Sequence, residues 1–250
     1  MANWSDPRPG VSSMRTQADT HADTIDAGLR SYMLSIYNYM ASGVLLTGIV
    51  ALLFAKSSLM GLLVSESGRG FSGLGWIAVL APIGIVLAMN FGQRRFSAGT
   101  LQLMFWAYAF LTGVSFSTLF LVYTDASIAQ AFFATAAAFA GLSLYGYTTK
   151  RDLGPIGTFL IMGVVGLIVA MLLNAFIFQS GTMGLVISAL GVLIFAGLTA
   201  YDTQKLKLMY DYVRGTDMLG KTVIMGALTL YLDFINMFLM LLRLFGSSRN

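Results

Sequence analysis

From residue 153 to residue 201 the chain carries no charged side chain, a run of 49 positions. A run that long cannot lie on the surface of a water-soluble domain, because polar groups must cover such a surface. One helix crossing a hydrocarbon core of about 30 Å needs about 20 apolar residues. The run therefore holds two spans. The polar break Gln179-Ser180-Gly181-Thr182 divides it. That gives a fifth span at about 156–177 and a sixth at about 183–204.

Other uncharged stretches repeat the pattern. Residues 31–55 make the first span, the apolar part of 70–93 from Trp76 the second, 96–124 the third and 126–149 the fourth. Residues 222–242 make a seventh, interrupted only by Asp233. Each run is continuously apolar, without the alternation a β-barrel strand requires, so helices are expected. Of the 250 residues 57% are hydrophobic and 10% charged, which excludes an ordinary soluble domain and a disordered one. The expected fold is all-α, a polytopic membrane bundle of seven transmembrane helices. Residues 1–27 read as a polar cytoplasmic tail with a short helix near Thr24–Arg30, 28–246 as the membrane domain and 247–250 as a C-terminal tail. No apolar h-region follows the basic residues of the tail, so it is not a signal peptide.

The chain has no cysteine, and its one histidine, His21, lies in the tail as a solvated residue. Thiolate metal sites, cysteine nucleophiles, Ser/His triads and intramembrane histidine relays are therefore unavailable. The net charge of +4 reflects topology and anionic lipid in a membrane protein, not nucleic acid. With the N-terminus cytoplasmic, eleven Lys and Arg fall inside and four outside. Seven full crossings would put the C-terminus outside. A last segment that dips and returns would put it inside, and the charge count does not choose. Gly163, Gly166, Gly184, Gly191 and Gly197 are expected to allow close helix contact, and Asn90 and Asn174 to bond between helices. The fifteen methionines read as core or lipid contacts.

Two acids stand apart from tails and loops. Asp202 ends Phe195-Ala-Gly197-Leu-Thr-Ala-Tyr201-Asp202, and Asp233 lies inside the last span. An aspartate at a helix centre costs about 2.5–3.5 kcal/mol on insertion scales. Asp202 could pair with Lys205, three residues on. Asp233 could be neutral and bonded to Thr229 or a neighbouring helix. If both face one cavity, they cannot both ionise cheaply. They then titrate as a coupled pair, a pH sensor without histidine. The ionised pair is also a partial site for calcium. Spacing sets a condition. Asp202 lies about 28 Å past Met183 along its helix, near the inner surface, and Asp233 about 18 Å past Lys221, in mid-membrane. They meet only if the last helix starts below the membrane surface or the sixth span tilts. Arg94 and Arg95 end the second span on the same side. They read as topology signals touching headgroups, or one of them bonds an aspartate and locks a cytoplasmic exit.

The segment Gly226-Ala-Leu-Thr-Leu-Tyr-Leu-Asp233-Phe-Ile-Asn-Met-Phe-Leu-Met-Leu-Leu-Arg243 resembles the C-terminal signature of the Bax inhibitor-1 family, the transmembrane Bax inhibitor motif proteins. Gly197-Leu-Thr-Ala-Tyr201-Asp202-Thr-Gln204-Lys205 resembles that family's second motif, and the likeness covers about residues 28–246, as in a bacterial member. The resemblance implies six helices around a central last one. It implies a pH-sensitive calcium leak channel with Asp202 and Asp233 as sensor and candidate calcium ligands. An arginine near the end of span two would bond the pair in the closed state; Arg94 and Arg95 stand there, while counting back from Gly99 puts Gln93 at that position. It further implies contact with a membrane-bound AAA protease in some bacteria. The expected function is therefore a calcium leak of the bacterial inner membrane, with no enzymatic activity and no tightly bound cofactor. A non-conducting protease regulator and a proton-coupled cation antiporter are the alternatives. An intramembrane aspartyl protease would need Gly-x-Gly-Asp, and here Leu230-Tyr231-Leu232 precedes the second acid.

Overall fold

The computed structural model describes residues 9–65 and 70–249, with side chains from residue 27 onward. His21 therefore lies outside the described side chains. Seven helices are long and apolar enough to cross a membrane. They are α1 (Pro9–Ala55), α2 (Gly73–Gly92), α3 (Ala98–Phe116), α4 (Asp125–Thr148), α5 (Gly154–Leu173), α6 (Gly181–Val213) and α7 (Met218–Phe245). Among the described residues the only β pairing is two isolated bridges, Val64 with Phe71 and Tyr123 with Ser248. Large apolar side chains such as Phe91, Phe159 and Phe176 point outward, as they must where the surrounding solvent is lipid. The chain is a multi-pass membrane protein.

The last helix is the most enclosed. In α7, 72% of the most apolar stretch is buried, against 17–44% in the other six. It packs on α6, α1, α4 and α3, while α2 packs mainly on α3 and α5 mainly on α6. Fully buried Leu228, Leu230, Tyr231 and Met237 fill the centre from this one helix. An aromatic chain of Phe132, Phe234 and Phe139 ties α4 to it.

Several helix ends differ from the sequence expectation. α1 begins at Pro9, well upstream of the short helix expected near Thr24–Arg30. Its spanning portion supplies the costly helical nucleus, and polar residues without an internal break extend it. α6 runs on through Lys205, Lys207 and Asp211 to Val213, where a polar connection was expected. Charge ends the hydrocarbon zone, but it does not end a helix; the turn comes at Gly215, whose φ is 72°. α7 is continuous over 28 residues, about 42 Å, so it crosses and does not dip and return. Residues 247–249 then fold back onto the α3–α4 corner. Ser247 carbonyl accepts from Thr124 N–H at 3.2 Å, Arg249 N–H donates to Val122 carbonyl at 2.8 Å, and Arg249 pairs with Asp125 at 3.6 Å.

The two polar amides do not behave alike. Asn90 is exposed and bonds the Val86 carbonyl of its own helix at 2.9 Å, so it joins no neighbour. Asn174 opens a π-helical turn, 174–178, that ends α5. Its side chain bonds both backbone groups of Ser180, at 3.1 and 3.2 Å, stapling α5 to α6. Asn174→Ala strips a partly buried N–H and carbonyl of their partners. The expected cost is about 1–3 kcal/mol, read as a lowered midpoint of thermal unfolding in detergent.

Candidate functional site: a paired-carboxyl centre between α6 and α7

Residues 201–204 of α6 each face a different neighbour, because successive helical residues turn by about 100°. The Tyr201 ring lies where a side chain on Gly157 of α5 would be. Asp202 faces α7. Thr203 donates to Ser143 of α4 at 3.3 Å. Gln204 clamps the α4–α5 loop, donating to Arg151 carbonyl at 2.8 Å and accepting from Leu153 N–H at 2.9 Å. One turn on, Lys207 donates to Tyr147 carbonyl at 2.8 Å. The motif thus fixes the height and rotation of α6 against three helices.

The last helix is fixed in the same manner. The Tyr231 hydroxyl lies 2.6 Å from Thr47 of α1, whose own hydroxyl donates to Ala109 carbonyl of α3 at 2.8 Å. The Tyr231 ring packs edge-on to Phe105 and Tyr108 of α3. Two residues further, and so on the other side of the helix, Asp233 faces α6. α6 and α7 run antiparallel, and Leu206 beside Gly226 and Met240 beside Gly191 set one register along the pair. That register brings Asp202 opposite Asp233, with the two carboxyl groups within hydrogen-bonding reach of each other.

The spacing condition is met because both helices run on into the α6–α7 turn. α6 continues from Asp202 to Val213 and α7 begins at Met218, so each acid stands several helical turns from the same connection and the two come level with each other.

The electrostatics of the pair are simple. Asp233 is 5% exposed and Asp202 half-buried. No N–H or hydroxyl donor of the protein reaches Oδ2 of Asp233. Thr229 bonds Met225 carbonyl of its own helix, at 3.1 Å, and not Asp233. Among the described residues the ion pairs are Arg214 with Asp211 and Arg249 with Asp125, so neither motif acid holds a cation. Lys205 is close enough to act on Asp202 through space, but its ammonium sits over the Tyr201 ring, 5.8 Å from the centroid. The expected Asp202–Lys205 ion pair is therefore not made. Among the protein's charged groups, only Asp202 acts on Asp233. Two carboxyls can bond only by sharing a proton.

Arg94 and Arg95 are not brought to the pair. Both are exposed beyond the end of α2, and neither acts on either aspartate. α2 packs mainly on α3, one layer away from α6 and α7. Among the described residues no group of three or more acidic, histidine or cysteine side chains forms a metal cluster. Two carboxylates supply fewer oxygens than the six to eight calcium takes. The pair alone is thus only a partial ligand set for that ion.

Sequence reasoning missed the Gln204 clamp and the Tyr231–Thr47 link. Both residues stand inside the motifs, so the signal was present. Their roles depend on loops and helices far away in the chain.

The family model described as "Inhibitor of apoptosis-promoting Bax1" matches residues 29–250. Protein RP147 of Rickettsia prowazekii is 46% identical over 228 residues, 91% of this chain and 94% of that protein. Inner membrane protein YbhL of Escherichia coli is 45% identical over 225 residues, 89% of this chain and 94% of that protein. A protein of Caulobacter vibrioides is 44% identical over 240 residues, 93% and 94% of the two chains. Matches of this extent take in both aspartate motifs and all seven spans, and the chain belongs to the Bax inhibitor-1 family.

Proposed function

We propose that this protein is a passive, pH-gated cation leak with calcium as the conducted ion, and that the Asp202–Asp233 pair is its gate. The contact between the two carboxyl groups carries the reading. With one proton shared, the pair bridges α6 to α7 and the bundle is closed. Once that proton leaves, two like charges face each other in a medium of low dielectric. Their repulsion separates α6 from α7, and the bared carboxylates attract a divalent cation. Leak should therefore rise with pH. No catalytic step and no bound cofactor are needed.

The setting follows from charge and kinship. YbhL is named an inner membrane protein, and we place this chain in a bacterial inner membrane as well. The end of the bundle bearing Arg94, Arg95, Lys150, Arg151, Lys205 and Lys207 faces the cytoplasm, as basic residues prefer. The N-terminus is then cytoplasmic and the C-terminus, after seven crossings, is outside.

The test is calcium entry into liposomes carrying the purified protein and a trapped calcium dye, in acidic and in alkaline buffer. Flux that rises with pH supports the gate. Folded protein with no flux in either buffer contradicts the leak and favours a non-conducting regulator, such as one that binds a membrane protease. Uphill calcium movement driven by a proton gradient would instead identify an antiporter.

A further inference from the structure

α1 and α4 both pack on α7, but they leave a seam between them. Two clefts lie along it: one is lined by α1 and α4 alone, the other by the next stretches of those helices together with the end of α3 and residues of α7. The cleft at the α6–α7 turn end has a volume of about 550 Å³. Its walls carry Met33, Tyr37, Ala41, Phe139 and Ala140. Ala41 and Ala140 face outward where larger residues would close the gap. Among the described residues that line it, Arg30 is the one charged group, and it stands at the mouth. A second cation is close by. Lys207 donates to the carbonyl of Tyr147, which also lines the cleft, and its ammonium lies 4.9 Å from that ring's centroid.

We infer that this cleft binds a phospholipid with an anionic headgroup, the phosphate on Arg30 and an acyl chain between α1 and α4. From Arg30 to Ala41 the cleft runs about 17 Å along α1. One leaflet of hydrocarbon is about 15 Å deep. Length, apolar lining and charge at the headgroup level thus agree. The inference is independent of calcium conduction, since it concerns only the lipid-facing seam.

The full chain, purified in mild detergent, is incubated with equal amounts of phosphatidylglycerol and phosphatidylcholine. Retained lipid is counted by native mass spectrometry. Wild type should keep phosphatidylglycerol over phosphatidylcholine by about fivefold, the preference one basic group near a headgroup supplies. Arg30→Gln should erase that preference. Ala140→Trp should fill the cleft and remove the bound lipid. Val165→Trp, on the outward face of α5, should not. The same spectra report whether each variant stays intact and monodisperse. Four results would overturn the inference: equal retention of the two lipids by wild type, an undiminished phosphatidylglycerol preference in Arg30→Gln, phosphatidylglycerol retained undiminished by Ala140→Trp, or a dimer that Ala140→Trp dissolves.

Discussion

Asp233→Asn, alone or with Asp202→Asn, is expected to flatten the pH dependence of calcium leak, so that the ratio of flux in alkaline to acidic buffer falls to about one. Proton count sets this effect. The native pair can hold a shared proton or lose it, and only the loss creates opposed charges between α6 and α7. An asparagine is the same size and can bond a facing carboxyl or amide without titrating, so the helices keep their register in both buffers. In the leak reading both variants are closed throughout: the single variant can develop one charge and the double none, and neither develops the facing pair of like charges that parts the helices. Thr229→Ala serves as the control. Its hydroxyl bonds Met225 carbonyl of its own helix, and its loss should leave the ratio unchanged. Flux in the double asparagine variant that still rises with pH as in wild type would remove the pair from the gate, whatever the protein conducts.

Gly146→Leu should give a large loss of stability. Gly146 of α4 lies so close to α6 that an added Cβ would overlap the carbonyl oxygen of Ala200. That atom is backbone in a helix held by Tyr201, Thr203 and Gln204, and it cannot turn aside. α4 must move away, which is expected to cost about 1–3 kcal/mol, the usual range for overpacking, or more. Gly166→Leu makes the comparison, because nothing lies within 4 Å of an added Cβ there. It should shift stability by about 0.5 kcal/mol or less. Thermal unfolding of the two variants in the same detergent separates the effects. Equal midpoints would show that the α4–α6 approach is not tight.

Gly146 and Gly166 also mark where sequence reading stops. In the sequence both are glycines in apolar runs, and Gly166 was among the five expected to allow close helix contact while Gly146 was not. Contact depends on which face a helix turns inward, and a run that is apolar all round carries no such mark. The number of spans was legible for the opposite reason. Charges punctuate the chain between crossings, and burying one in lipid is costly. That rule locates the edge of the hydrocarbon but not the end of a helix, so α6 was read as ending near Gln204 when it runs to Val213. The overrun is what lifts Asp202 and Asp233 to one depth. The pair was therefore legible as two misplaced acids in recognisable motifs, while the register that joins them was not. Arg94 and Arg95 show the converse. Their position at a span end fitted a lock, yet α2 lies outside the layer that holds the pair, and both side chains point to the surface.

The proposed gate rests on one shared proton between α6 and α7. The direct measurement is the separation of the Asp202 and Asp233 carboxyl groups in structures determined in acidic and in alkaline buffer. The account predicts contact in acid and separation, with α6 and α7 parted at that level, in alkali. The same contact at both, in protein whose calcium leak differs between those buffers, would contradict it.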